Sequence, residues 1–211
     1  DHPRSLDAGQ YYAVALQRNG QLAEAITLTQ DLVARQQARV GSEHPQTLAL
    51  RNSLANFHLE NGDLNAAEVE MRALIEAVGK QHGTATRMLP VLQVNLARVL
   101  QDQGGPEKLT EAGELYQRGV EAQLARSGAD NPTSIVMRRM RAAWLLETDD
   151  AKTARDEYQA VLDSAHTVFG DDHPAVIGGL LDLAEAEHTL GATQSARGHV
   201  ESALARLNTQ A

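Results

Sequence analysis

The segment Asn19-Gly20-Gln21-Leu22-Ala23-Glu24-Ala25 sets a pattern that returns along the whole chain. Glycines recur at a spacing of 42 residues, which one longer step of 45 interrupts. They form two columns: Gly20, Gly62, Gly104 and Gly191, and Gly41, Gly83, Gly128 and Gly170. Self-similarity at a fixed period of this size is the signature of a repeat architecture. The chain is therefore expected to be an array of similar units.

Two columns of alanine repeat with the same step. They are Ala13, Ala55, Ala97, Ala142 and Ala184, and Ala25, Ala67, Ala112, Ala154 and Ala196. One step in each column is three residues longer, which places an insertion between Ala97 and Ala112. We expect the insertion in the turn Gly104-Gly105-Pro106-Glu107. Alanine at a helix crossing lets the two helix axes approach closely, and this accounts for an aromatic content of only 3%.

Each unit is predicted to contain two helices. The first opens at His-Pro or Asn-Pro, where proline suits the first helical position, and it ends at a glycine that adopts a left-handed conformation. The second is expected to start near Leu22, Leu64, Leu109, Ala151 and Thr193. The predicted fold is all-α, with about ten helices in five units of one domain: 1–41, 42–83, 84–128, 129–170 and 171–211. The equivalent aromatic residues are expected to pack between helices rather than to form a ligand cage: Phe57 with Trp144, and Tyr116 with Tyr158.

These helix pairs resemble the tetratricopeptide repeat, and the opening segment fits that repeat closely. The 42-residue version is similar to the kinesin-light-chain type, on the segments Gly41-Ser42-Glu43-His44-Pro45-Gln46-Thr47-Leu48 and Met71-Arg72-Ala73-Leu74. The resemblance covers essentially the whole chain and is weakest in the fourth unit, where Arg141 replaces a leucine. It implies a right-handed superhelical solenoid whose first helices line a concave face that binds a peptide or a partner protein.

By this resemblance, the concave face presents a set of polar side chains to a partner. The expected binding residues are Gln10, Gln17, Asn52, Asn56, Asn95, Arg98, Gln101 and Arg139. Asparagine and glutamine amides both donate and accept hydrogen bonds, so they suit the backbone of an extended peptide. Arginine suits a carboxylate, which indicates a partner with an acidic segment. The lysines that complete the family's two-carboxylate clamp are missing, and the alternative is that these polar groups only solvate the inner face.

The composition excludes several classes of function. The 211 residues include no cysteine and carry a formal charge of −9. Absent cysteine excludes a disulfide framework, a thiol nucleophile and Cys-ligated metal centres. The acid excess argues against nucleic-acid binding, and no uncharged run reaches the length of a membrane-spanning helix. We expect a cytoplasmic protein; the alternative is the periplasmic part of a membrane-anchored one.

No motif indicates an enzyme. The chain lacks a phosphate-binding glycine loop, a Gly-x-Ser-x-Gly element and a His-Glu-x-x-His element. His2, His44 and His173 are explained as helix starts, so we predict no catalytic residue, no metal and no cofactor. The basic cluster Arg138-Arg139-Arg141 either faces an acidic partner or pairs with nearby carboxylates.

Two functions remain open at this point. The first is a scaffold that serves as the regulatory or recognition region of a larger protein, such as a bacterial serine/threonine kinase. The second is a sensor that captures a small molecule or a signalling peptide and controls an attached effector. The start Asp1-His2-Pro3, without methionine, suggests part of a longer chain. The oligomeric state is expected to be a monomer or a homodimer, and the last predicted helix, 192–207, is a candidate cap for the array.

Overall fold

The computed structural model describes residues 3–82 and 88–209, and these form ten α-helices without a β-strand. Their bounds are α1 Pro3–Arg18, α2 Leu22–Val40, α3 Pro45–Glu60, α4 Leu64–His82, α5 Met88–Gln103, α6 Pro106–Ser127, α7 Pro132–Glu147, α8 Ala151–Phe169, α9 Pro174–Thr189 and α10 Thr193–Thr209. The prediction of an all-α chain with ten helices is confirmed. His2, Gly83 and the predicted boundary at 83–84 lie outside the described residues.

The first helices of three repeats begin with the same cap. The side chains of His44, Asn131 and His173 each accept a hydrogen bond from the backbone N–H two residues later, at 3.2, 2.9 and 3.1 Å. A proline follows each cap at the first helical position. Because helix N-termini leave backbone N–H groups unpaired, a side-chain acceptor at this place stabilises the start of the helix. The two histidines therefore have a structural role, as the sequence indicated.

The three-residue insertion lengthens a helix instead of a turn. Second helices begin at Leu22, Leu64, Ala151 and Thr193, as predicted. The second helix of the third repeat, α6, however, begins at Pro106 and not at Leu109. It has 22 residues, whereas α2, α4 and α8 each have 19. Gly104 and Gly105 form the turn with φ of 69° and 90°, and Pro106 then takes the first helical position, which its fixed φ favours.

Both alanine columns lie in the core. All ten of these alanines are buried, and their position at the helix crossings stays a prediction. Phe57, Tyr116 and Tyr158 are also buried, which confirms the packing interpretation for three of the four aromatic side chains. Trp144 is only half-buried.

The chain divides into two compact parts, and the boundary falls inside α6. From here on, the first unit is Asp1–Lys108 and the second unit is Leu109–Ala211, and each helix pair is called a repeat. The first unit contains two clusters of buried apolar side chains, one around Ala13 and Phe57 and one around Leu74 and Leu92. The second unit contains a larger cluster to which α7, α8, α9 and α10 contribute. None of the helices in the described part of the chain is long and apolar enough to cross a membrane.

Candidate functional site

A polar recess lies on the first unit where α1, α3 and α5 each present one side to solvent. Its volume is about 330 Å³, and it is lined by Val14, Gln17, Ser53, Asn56, Phe57, Leu59, Glu60, Asn95 and Arg98. These three helices are the first helices of their repeats. Four of the predicted binding residues therefore meet in one place: Gln17, Asn56, Asn95 and Arg98.

The recess has an acidic and a basic side chain on its lining. The Gln17 Nε2 group donates to both carboxylate oxygens of Glu60, each at 2.8 Å, which fixes that carboxylate across two repeats. The Arg98 Nε atom lies 4.0 Å from the Asp102 carboxylate, beyond hydrogen-bond range, and about half of the side chain is exposed. Arg98 therefore keeps donor capacity for a carboxylate of a ligand.

Asn52 lies on α3 one helical turn before Asn56, so the two side chains share a face. Its Oδ1 atom is buried and has no hydrogen-bond partner; among the described residues only Thr29 Oγ1 and Glu187 Oε2 share that condition. An unpaired buried acceptor costs about 1–3 kcal/mol. A ligand N–H that reached this oxygen would recover part of that free energy.

Three predicted binding residues of the first unit are not among the residues that line the recess: Gln10, Asn52 and Gln101. Gln10 on α1 and Gln101 on α5 are both half-buried, and neither is among the lining residues. Gln101 also interacts with other residues of the chain. The structure thus brings together half of the predicted set and leaves these three residues outside the lining of the recess.

Arg139 lies in the second unit, on α7, and is held by Asp182 of α9. Its Nε and Nη2 atoms donate to the two carboxylate oxygens, the latter at 2.9 Å. The hydrogen bond to Asp182 raises the pKa of Arg139 above its ordinary value. Gly178 leaves room beside the guanidinium, since a Cβ there would lie 3.4 Å from Nη2. This arginine is already engaged within the chain.

The other two arginines of the basic cluster share one carboxylate. Arg138 Nε donates to Glu157 at 2.8 Å and Arg141 Nη2 donates to the other oxygen at 2.7 Å. All three groups are largely buried. Arg51 and Glu70 form the corresponding pair in the second repeat, at 2.5 Å. Of the two interpretations of the cluster, the structure shows pairing with nearby carboxylates.

The second unit has a groove that sequence reasoning did not predict. Its volume is about 570 Å³, and it is lined by Thr110, Gly113, Glu114, Gln117, Glu121, Arg141, Trp144, Leu145 and Thr153. The Trp144 Nε1 group donates to the Leu109 carbonyl at 3.1 Å, and its ring lies against Gly113, where a Cβ would approach it to 2.4 Å. The available signal was Gly113, which stands in a column otherwise filled by Ile26, Glu68, Arg155 and Arg197.

Metal chemistry finds no support in this arrangement. Within the ranges 3–82 and 88–209, no three His, Asp or Glu side chains converge in a way that suits a metal ion. His58 Nδ1 lies 3.4 Å from Asp63, and His166 Nδ1 lies 2.7 Å from Asp171. Both are contacts of a single histidine with a single carboxylate at the end of a helix.

Comparison with solved structures shows the same fold in other repeat proteins. The kinesin light chain TPR-like repeats of Podosopora anserina are 24% identical, with 100% of this chain and 98% of that chain covered and a TM-score of 0.78. BtubC from P. vanneervenii is 15% identical over 94% and 78%, with a TM-score of 0.76. A STAND protein with a tetratricopeptide repeat sensor, from Pyrococcus horikoshii, is 16% identical over 94% and 29%, with a TM-score of 0.74.

Sequence comparison agrees with the structural one. No curated protein matches the chain. Profiles of the tetratricopeptide repeat match residues 13–46 and 134–209, which together make up just over half of the chain. With ten helices in the predicted repeat pattern and kinesin-light-chain-like structural neighbours, the chain belongs to the tetratricopeptide repeat family.

Proposed function

We propose that the first unit binds an extended peptide segment of a partner protein in the recess formed by α1, α3 and α5. The tetratricopeptide repeat is a scaffold fold for protein–protein interaction, and nothing in the described residues supports catalysis. The observation that carries the proposal is the convergence of Asn56, Asn95 and Arg98 around one open recess. The module would serve as the regulatory or recognition region of a larger protein such as a bacterial serine/threonine kinase.

The chemistry of the recess selects the kind of peptide. Asn56 and Asn95 offer donors and acceptors that match backbone amide groups and do not depend on the peptide's side chains. The Oδ1 atom of Asn52 is buried without a partner one helical turn from Asn56, and it would accept a peptide N–H that entered beside Asn56. Arg98 adds a charge-assisted bond to a carboxylate. The expected ligand is an extended segment with an acidic side chain or a free C-terminal carboxylate.

A peptide selection tests this proposal. A library of short random peptides with free C-termini is selected against the wild-type chain and counter-selected against the double variant Asn52→Ala/Asn56→Ala. Calorimetry then measures the dissociation constant of the selected peptide. Two lost hydrogen bonds are expected to weaken binding about tenfold or more, because each contributes about 1 kcal/mol. The melting temperature of the variant is not expected to fall, because Asn52→Ala removes a buried acceptor that has no partner in the free chain.

A matched control separates the recess from general effects of removing amides. Asn65 and Asn208 are exposed and lie outside the recess, so Asn65→Ala/Asn208→Ala is expected to keep wild-type affinity. Arg98→Gln is expected to abolish the preference for a free over an amidated C-terminus or for an acidic over an amide side chain. Equal loss of binding and stability in the recess variant would show that the asparagines are structural and contradict the proposal.

A ligand sensor is the second candidate, and the groove around Trp144 favours it. That groove is larger than the recess and combines an aromatic wall with carboxylates and amides. Trp144 is the only tryptophan of the chain, so its fluorescence reports directly on occupancy. A library of metabolites is therefore screened for compounds that shift the emission of Trp144. If such a compound is found and the peptide selection at the recess yields no binder, the sensor is favoured over the scaffold.

A further inference from the structure

Two opposite charges line the recess without pairing with each other. Glu60 is the last residue of α3 and Arg98 lies on α5, and both residues are exposed. Gln17 holds the Glu60 carboxylate, and the Arg98 Nε atom lies 4.0 Å from Asp102 on its own helix. Within the part of the chain that the structure describes, no ion pair joins Glu60 to Arg98. The recess therefore offers one anionic and one cationic contact to a ligand.

The Glu60 carboxylate is held in place and still has acceptor capacity. The single Nε2 group of Gln17 contacts both of its oxygens, each at 2.8 Å. An ionised carboxylate has about four lone-pair sites, so one bridging amide leaves other sites open to a ligand. Because the amide is neutral, it also leaves the negative charge uncompensated. A cationic group of a ligand would supply the counter-charge that Gln17 does not.

The amide that holds this carboxylate belongs only to the step from α1 to α3. Leu59 stands in the column of Gln17 one repeat later, and Asp102 stands in the column of Glu60. The leucine side chain has no donor, so it cannot hold Asp102 as Gln17 holds Glu60. The recess thus receives its positioned carboxylate from α3 and its cation from α5.

The repeat pattern sets the distance between the two charges. Asn56 of α3 stands in the column of Arg98, and Glu60 lies one helical turn after Asn56. The helices α3 and α5 contact each other. Packed helices lie about 8–10 Å apart and one turn rises about 5.4 Å, so Glu60 and Arg98 are about 10 Å apart. An extended peptide rises about 3.3 Å per residue, so the two contacts are about three residues apart along it.

We propose that Glu60 determines the specificity of the recess by binding a basic side chain of the peptide. This inference rests on the proposed peptide binding and describes the ligand more closely. With the C-terminal carboxylate at Arg98, a lysine or arginine about three residues earlier reaches Glu60. The peptide then runs from the α3 side of the recess toward α5. Gln17 is a positioning residue, because it acts on the ligand through Glu60.

Peptide sublibraries of defined charge test this assignment. Each peptide is N-acetylated and has a free C-terminus. The residue three before the C-terminus is fixed as arginine, glutamine or glutamate, and the other positions are random but exclude lysine, arginine and histidine. The fixed side chain is then the only cation of the peptide. On the wild-type chain, the arginine sublibrary is expected to be enriched about fivefold over the glutamine sublibrary, and the glutamate sublibrary is expected to be depleted.

Reversal of the charge at Glu60 gives a result that loss of folding cannot imitate. On Glu60→Lys, the glutamate sublibrary is expected to be enriched and the arginine sublibrary depleted. Glu24→Lys is the matched control and is expected to keep the wild-type order. Glu24 is also exposed and also accepts a hydrogen bond from a glutamine, Gln21, at 2.7 Å, but it lies outside the recess.

Gln17→Leu tests the positioning role, because it places the side chain of Leu59 in the preceding repeat. Further sublibraries carry the arginine two or four residues before the C-terminus. The charge of Glu60 remains in this variant, so arginine is still expected to be preferred over glutamine. The preference for the three-residue spacing is expected to disappear, because the carboxylate is no longer held. A merely structural role of Gln17 would weaken all sublibraries equally.

Two results would overturn the assignment of Glu60. They are a wild-type chain that does not prefer arginine over glutamine, and a preference for arginine that Glu60→Lys leaves unchanged. If peptides still bind in either case and lose affinity in Asn52→Ala/Asn56→Ala, the proposed peptide binding holds and only this inference fails. If no sublibrary binds, the recess is not a peptide site and both proposals are wrong.

Discussion

The inner faces of the two units use the same repeat positions in opposite ways. Asn52 and Asn95 of the first unit occupy the columns that Arg139 and Asp182 hold in the second. In the second unit the two side chains form a bidentate ion pair across adjacent repeats. In the first unit they are amides, and the Oδ1 atom of Asn52 has no partner.

This difference distinguishes polar side chains that pair with one another within the chain from polar side chains that remain able to bind a ligand. The Arg139 side chain is about half exposed, so its ion pair with Asp182 contributes only about 0–1 kcal/mol to stability. Its hydrogen-bonding groups are used within the chain. The amides of the first unit are not engaged in this way, and a recess lies beside them. Polar groups of an inner face are available to a ligand only where they do not satisfy one another.

The largest effect is expected from giving the first unit the ion pair of the second. The variant Asn52→Arg/Asn95→Asp also needs Val91→Gly, because Gly178 makes the corresponding room for Arg139. The new ion pair would occupy the amides' positions, and binding of a recess-selected peptide is expected to fall about thirtyfold in calorimetry. Val91→Gly alone is expected to retain binding. Unchanged affinity in the triple variant would mean that the contrast between the units has no functional meaning.

The next largest effect is expected on stability, at a buried alanine column that the two units share. Ala97 and Ala142 are both fully buried and occupy one column. Leucine at either position is expected to lower the free energy of unfolding by about 1–3 kcal/mol through overpacking, as measured by urea denaturation. Similar losses in the two variants would show that the cores are equivalent. A variant that unfolds like the wild type would refute the assignment of that column to the helix crossing.

The smallest effect compares two turns. Asp149 has a φ of 63°, the only positive value among non-glycine residues of the described ranges, and it stands in the column of Gly62, whose φ is 82°. Because glycine adopts this conformation without steric cost, Asp149→Gly is expected to raise the free energy of unfolding by about 0.5–1 kcal/mol. Gly62→Asp is the reciprocal variant and is expected to lower it by a similar amount. A loss on Asp149→Gly would show that the aspartate stabilises its turn.

Most of the fold was predictable because its determinants are local. Proline after a capping side chain starts a helix, and glycine with positive φ ends one, so the bounds of α3 and α9 followed from the sequence. The start of α6 was missed because the pattern shows that three residues are inserted and does not show whether they join the turn or the helix. Pro106, a favourable first helical residue, was the available signal.

The candidate site was only partly predictable. The repeat period placed Gln17, Asn56, Asn95 and Arg98 on one face, and the structure brings them to one recess. The same reasoning ranked Arg139 with them, because its column is the column of Asn52. It did not identify Asp182, 43 residues away, as the group that holds this arginine. Pairing between repeats depends on distances and side-chain directions that a column of equivalent residues does not contain.

The sequence by itself determined the family, the ten helices and the buried alanine columns, since each depends on residues that recur at a fixed step. Only the tertiary structure decided which polar groups form internal pairs, that Trp144 and Gly113 line a groove, and that Val200, Leu204 and Leu207 of α10 are exposed. The physical reason is that periodicity specifies backbone and core, whereas hydrogen bonding and exposure depend on which neighbour is present at each position.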